Sequence, residues 1–281
     1  VVKLTARNLG GAFALLHFRC RRRFALSPGS LSFTALEGIP EVVPGMALAP
    51  VILAALERHA YTLSEDDVLL VCQKIVSKSE DRFVDLVGVQ VSERAREVAS
   101  RCGKDPRLVE IILRESTEVV RCAPQVLIVR HRLGFVMANA GVDQSNVPDS
   151  ASRVLLLPRD PDGSAAALRE ALSRTLGFSP AIVITDTFGR PWRQGVCGAA
   201  IGASGLVTLW DRRGERDRFG RELKVTQVAI ADGIAAAATL VMGEGAEGRP
   251  VVLARGLPAA WRHNSARAAE LLRPIALDLF R

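Results

Sequence analysis

The groups in this sequence that could do chemistry are hard oxygen donors and amines, and they fall at the ends of apolar runs. Asp186 lies between Thr185 and Thr187, directly after the run AIVI at 181–184, and Gly189, Arg190, Pro191, Trp192 and Arg193 follow. A carboxylate flanked by hydroxyls suits a divalent cation, and nearby guanidinium groups suit phosphate oxygens. Asp143 repeats the pattern inside ANAGVDQSN at 138–146, and Glu244, held between Gly243 and Gly245, is a third candidate donor. Lys74 and Lys78 stand four apart just past the run VLLVC at 68–72, where they could grip phosphates. Each feature also has a plainer reading: an Asx-turn for either aspartate, a polar turn tip for Glu244, a solvated edge for the lysines. Two acids that both follow buried strands make a shared cation site more plausible than either does alone.

Positioning such groups takes strands that end beside one another. In open α/β sheets, ligands gather beyond the carboxyl ends of the strands, which is where 72–78 and 185–187 would stand. Apolar runs and turn residues predict a strand from Leu31 into a Gly38-Ile39-Pro40 turn, then a helix over 49–59 and a strand over 68–72. Helical spacing returns in SERAREVASRCG and across DPRLVEIILRESTEVV, where Asp105 before Pro106 is a start signal. Two strands are expected around a turn at 132–134, then a helix over 165–176 closed by Gly177. The strand at 181–184 is expected to stop at 185–187. VCGAAIGASGLVTLWD is rich in small residues, read as a tightly packed strand pair in preference to a backbone surface approached by a ligand. DRRGERDRFGREL reads as a solvated face, KVTQVAIAD as a strand, DGIAAAATLVMG as a helix and VVLARG as a strand. Without strict alternation, the fold class is α/β (α+β mixed).

Net charge first suggests nucleic acid as a partner, and its distribution argues against it. Of 37 basic residues six lie in the first 36 positions, which hold no acid, leaving 31 basic against 30 acidic residues in the body. One Tyr and interleaved charges do not make a stacking, basic face, so no nucleic-acid partner is expected. Five scattered cysteines without a C-x-x-C pair read as reduced thiols of a cytoplasmic protein, and four dispersed histidines give no zinc spacing. Residues 1–30 read as a basic, poorly ordered extension preceding a folded domain over 31–281. No run reaches the roughly 20 apolar residues that span a bilayer, so no membrane association is expected. The lysines do not belong to a Walker A loop, whose glycines are missing.

The motifs GIPEV, QKIVSK, DPRLVEIILRES, ANAGVDQSNVP, LLLPRDPDGS, ITDTFGRPWR, DRFGREL, VAIADGIAAAATLVMGEG and VLARG occur in that order. From about Leu36 to Gly256 they resemble the coenzyme F420-0:L-glutamate ligases. The resemblance implies a two-lobed α/β fold with intertwined lobes and a cleft between them, a homodimer, and use of GTP with two divalent ions, Mg²⁺ or Mn²⁺, and K⁺ as a further cation. It implies addition of L-glutamate to the lactyl carboxylate of the deazaflavin F420-0 through an acyl phosphate. The matching metal ligands would be Asp143, Asp186, Thr187 and Glu244. Nucleotide contacts would fall on Ile39, Pro40, Glu41, Val42, Gln73, Lys74, Lys78, Asn146, Met242, Gly243 and Gly245, with Asp143, Asp186 and Lys78 carrying catalysis. Ser79 and Asp81 depart from the small residues usual after the SK pair, and Phe219 stands where Tyr is common. Two other readings compete: a metal-dependent phosphatase or phosphotransferase with Asp186 as nucleophile, which lacks the paired Asp expected there, and a non-catalytic nucleotide- or nucleic-acid-binding protein.

Overall fold

The computed structural model describes residues 3–4, 16–17, 29–263 and 266–278. The expected disorder of residues 1–30 therefore falls almost wholly outside the described residues. In chain order the strands are β1 (Lys3–Leu4), β2 (Leu16–His17), β3 (Ser32–Ala35), β4 (Val68–Cys72), β5 (Phe83–Asp85), β6 (Ser116–Ala123), β7 (Val126–His131), β8 (Val136–Ala138), β9 (Arg153–Leu155), β10 (Ala181–Arg190), β11 (Arg193–Leu206), β12 (Leu209–Asp211), β13 (Gln227–Ala229), β14 (Val251–Arg255) and β15 (Arg262–His263). The helices are α1 (Leu48–Arg58), α2 (Gln73–Ser79), α3 (Glu93–Cys102), α4 (Pro106–Arg114), α5 (Pro161–Leu176) and α6 (Ile230–Met242). This is the mixed α/β class expected.

One six-stranded sheet, in the order β15-β11-β10-β4-β14-β3, carries the architecture, and β4 with β10 is its parallel pair. Strand periodicity sorts its side chains onto two faces. Leu69, Val71, Ile182, Ile184, Val251 and Leu253 face a core shared with α1 and α5. Val68, Leu70, Ala181, Val183, Val252 and Ala254 face α6 through a second core. Because both faces are buried, these strands read as continuous apolar runs. Between α2 and α5 the chain makes an excursion with two small cores of its own, one under α3, α4 and the β6-β7-β8 sheet, the other beside β5 and β9.

Local signals explain the helix ends. Ser92 Oγ accepts from Ala95 N–H and Gly103 at φ 66° closes α3; Asp105 Oδ1 accepts from Arg107 N–H ahead of α4. The helix expected to run through RESTEVV instead ends at Arg114, and β6 follows. Thr117, Val119 and Val120 are β-branched, and pairing with β7 decides their conformation. The α5 helix begins at Pro161, four residues earlier than expected, because Asp160 caps it by accepting from Gly163 N–H and Pro161 fills its first position.

The small-residue segment, expected as a strand pair, holds most of β11 and then β12, which pair with other strands, and β11 is clamped between helices. A Cβ on Gly198 would lie 2.4 Å from Ala235 O, and one on Gly202 would lie 2.3 Å from Pro161 O. Packing thus accounts for these glycines. A bulge opposite Ile184 and Thr185 disturbs β11, and helix acids satisfy N–H groups around it: Asp232 Oδ1 accepts from Ala200 and Asp162 Oδ1 from Ala203.

Candidate active site

The β10 strand does not stop at 185–187 as expected; β11 keeps its pairing as far as Arg190. What stops is the parallel pairing with β4, whose last partners are Thr185 and Cys72. There β4 turns into α2, so Asp186 emerges one residue past the paired edge, beside Lys74 and Lys78. Asp143 arrives from the excursion. After β8 the backbone turns through Asn139 and Ala140, both at positive φ, and Asp143 then exchanges two backbone hydrogen bonds with Leu155, at 2.9 and 2.8 Å. Glu244 is delivered by the turn after α6, where Gly243 takes φ 80° and Glu247 Oε2 accepts from Gly245 N–H.

These segments line one cleft of about 320 Å³. Its walls include Ile39, Pro40, Glu41, Val42, Lys74, Lys78, Asp143, Asn146, Asp186, Thr187, Met242, Gly243, Glu244 and Gly245, together with Cys72, Thr185 and the 246–250 segment. Nearly the whole predicted site is therefore brought together. Gln73 is the exception: its side chain is buried in α2, where its Oε1 accepts from Ser77 Oγ at 2.8 Å. Arg190 and Arg193 lie on the exposed end of the β10–β11 hairpin, away from the lining. Sequence reasoning missed Cys72, Thr239 and Arg249 as lining groups; an apolar strand end, a mid-helix hydroxyl and a loop arginine carry no motif.

Charges in the cleft are paired across elements. Lys74 Nζ lies 2.5 Å from Asp143 Oδ2 and donates to Ser145 Oγ at 2.6 Å. Lys78 Nζ lies 2.5 Å from Glu41 Oε1, its own side chain nearly buried while Glu41 is mostly exposed. Thr187 Oγ1 donates to Glu244 Oε2 at 3.2 Å, and Asn146 Nδ2 donates to Gly245 O at 3.0 Å, joining the excursion to the α6 turn. Burial would push the Asp143 carboxyl up, but Lys74 and the Ser145 N–H outweigh it and hold it below the ordinary range. Asp186 goes the other way. Desolvation, with the negative charges of Asp143 and Glu244, lifts it to about 7 despite the Thr187 N–H and Lys74. The Cys72 thiol is pushed up to about 11, chiefly by burial, which makes it a poor nucleophile.

Among the described residues no three His, Cys, Asp or Glu side chains stand grouped closely enough to chelate one ion. The oxygen donors nevertheless suit hard cations in kind, and the negative charge of Asp143 and Glu244, which adds to the burial that lifts Asp186, is the kind a divalent ion relieves. No helix of the described residues is long and apolar enough to cross a membrane.

A mixed α/β fold whose parallel strand pair opens into a cleft of carboxylates, hydroxyls and ammonium groups defines the class to which the molecule belongs. The sequence model of the F420-0:Gamma-glutamyl ligase family matches residues 38–256, and the chain belongs to that family. It is 44% identical to the coenzyme F420:L-glutamate ligase of Methanothermobacter thermautotrophicus over 251 residues, covering 89% of this chain and 99% of the relative. The protein of that name from Methanopyrus kandleri is 46% identical over 258 residues, covering 90% of this chain and 100% of the relative. That from Archaeoglobus fulgidus is 44% identical over 225 residues, covering 80% and 87%.

Proposed function

We propose that this protein is a ligase that joins L-glutamate to the lactyl carboxylate of F420-0 in coenzyme F420 biosynthesis, using GTP and an acyl-phosphate intermediate. The observation that carries this reading is the convergence of Lys74, Lys78, Asp143, Asp186, Thr187 and Glu244 on one cleft, in a chain similar over most of its length to proteins named for that ligation. A carboxylate is a poor electrophile. An oxygen of the F420-0 carboxylate would attack the γ-phosphorus of GTP and release GDP; the glutamate amine would then attack the acyl carbon, losing a proton as phosphate leaves.

Such a sequence asks the protein for positioning and charge balance more than for a nucleophile. Lys78, held on α2 with its stem buried, and Lys74 would neutralise phosphate oxygens, exchanging Glu41 and Asp143 for them. Backbone groups at 39–42 and in the 242–245 turn would hold the nucleotide against the sheet edge, with Asn146 fixing that turn. Asp143, Asp186, Thr187 and Glu244 would hold Mg²⁺ or Mn²⁺, with K⁺ as an auxiliary ion. Bound divalent ions would supply neutralisation of the charge on the transferring phosphoryl group. Oxygen donors make Zn²⁺ a poor substitute.

The expected homodimer belongs with this reading. Large apolar side chains stand exposed at Trp192, Phe219 and Val225, and sedimentation equilibrium should give twice the chain mass. The deciding experiment mixes the protein with F420-0, L-glutamate, GTP and Mg²⁺ or Mn²⁺ and reads product masses. A glutamyl amide formed together with GDP is expected; its absence with every metal would overturn the reading.

A further inference from the structure

Two thiols belong to the excursion's core under α3 and β6. Cys102 is the last residue of α3 and has no exposed surface; Cys122 lies on β6 and is partly exposed. Both sulfurs sit on the final turn of α3. Cys102 Sγ donates to Ala99 O at 3.8 Å, and Cys122 Sγ to Val98 O at 3.7 Å, Val98 being one helical turn before Cys102. The two side chains also share one core, Cys102 within it and Cys122 packed against it. Their backbones are tied as well: Gln125 N–H, in the turn that follows β6, donates to Cys102 O at 2.8 Å. This places a helix end and a strand side by side, with both sulfurs on adjacent carbonyls of one helical turn.

We propose that Cys102 and Cys122 form a reversible intramolecular disulfide, a modification site that staples α3 to β6. The oxidant is a small-molecule disulfide such as oxidised glutathione. Cys122, the more accessible thiol, loses its proton and attacks one glutathione sulfur, breaking that S–S bond and releasing one reduced glutathione. Cys102 then loses its proton and attacks Cys122 Sγ, forming the protein S–S bond and releasing the second. Two thiols are oxidised and one glutathione disulfide is reduced to two thiols. The staple would fix the core on which Ala140 and Val142 rest, next to Asp143. The inference does not depend on the ligase reading.

The test incubates the full native chain with oxidised glutathione, quenches with acid, alkylates remaining thiols and maps the peptides by mass. A species joining the Cys102 and Cys122 peptides, lighter by two hydrogens and reversed by dithiothreitol, is expected. It should be missing in Cys122→Ser, at a partly exposed position, and in Cys102→Ala. The oxidised wild type should melt higher than the reduced protein, with no such gap in Cys122→Ser. Glutathione retained on Cys122, both thiols still alkylated, or Cys122 joined to another cysteine would each overturn the proposal.

Discussion

Lys74 Nζ and Asp143 Oδ2 stand 2.5 Å apart, an ion pair that closes the excursion onto the first turn of α2. Neither partner is fully buried, so the pair contributes modestly to stability, and its position matters more. In the proposed reaction Lys74 is one of two ammonium groups that would leave a carboxylate to meet a phosphate. The other, Lys78, pairs with a mostly exposed Glu41, which can return to water without a large penalty. Lys74→Ala and Lys78→Ala should therefore stay folded and bind GTP about tenfold more weakly, each losing a charge-assisted contact of roughly 1.5 kcal/mol. Calorimetric titration with GTP checks this. Wild-type affinity in both variants would remove the lysines from the phosphate site.

A second charged cluster braces the excursion away from the cleft. Glu115 Oε2 accepts from Arg82 at 3.2 Å and Arg132 at 3.1 Å and lies 3.4 Å from Nε2 of the buried His131. Burial alone would raise this carboxyl, but His131, Arg132 and Arg82 overcome it and hold it at about 2. Since the folded value lies below the ordinary 4.5, the stabilisation is complete above about pH 4.5 and is lost as pH falls toward 2. It amounts to something on the order of 2 kcal/mol. Urea unfolding from pH 6 to pH 2.5 should show wild type losing most of that increment and Glu115→Gln showing a flatter profile. Parallel profiles would sink the assignment.

The glycines of β11 give a steric prediction. A Cβ at Gly198 or Gly202 would meet helix backbone at under 2.5 Å, and a carbonyl in a packed helix cannot step aside as a side-chain end can. Gly198→Ala and Gly202→Ala should each lower unfolding free energy by about 3 kcal/mol. Gly189→Ala, with nothing within 4 Å, is the control and should fall within about 0.5 kcal/mol of wild type. Equal effects at all three positions would mean the clamp is not rigid.

Much of this arrangement was legible in the residues, for physical reasons. The runs 68–72 and 181–184 are apolar on both faces because α1, α5 and α6 cover both sides of their sheet. Asp105-Pro106 and Gly177 mark helix ends through local bonding and φ, which need no tertiary context. The strand β6 was hidden because IILREST continues a helical spacing that only pairing with β7 interrupts. The length of β10 was hidden for a related reason: its polar end is held by hydrogen bonds to β11, not by burial. Gln73 stands next to Lys74 in sequence but points into α2's buried side, a distinction that the helix rotation makes and the motif does not.

Asp143→Asn and Asp186→Asn test the centre of the site. Asp143 is fixed by two backbone bonds to Leu155 and by its Asx contact to Ser145 N–H at 2.7 Å, and Asp186 is fixed by the β10–β11 ladder. An amide is the same size and keeps an acceptor oxygen, so both variants should fold, with unchanged circular dichroism. Each removes a carboxylate that a bound divalent ion would hold ionised at the cleft. In Asp143→Asn, Lys74 also loses its partner and is left for the nucleotide, so GTP binding should survive better than turnover. For Asp186→Asn, the change removes a carboxyl whose ionisation is opposed first by burial and then by the charges of Asp143 and Glu244, so folding stability should hold or rise while activity falls. Loss of electrostatic support for the phosphoryl group costs on the order of 3 kcal/mol, a rate loss of about a hundredfold or more. The measurement is glutamyl amide formed from F420-0, L-glutamate and GTP under saturating Mg²⁺ or Mn²⁺, with urea unfolding run in parallel. Turnover near the wild-type rate in either variant, with the fold intact, would show that the carboxylate does not serve the reaction, and the cation site assigned to these four residues would have to be given up.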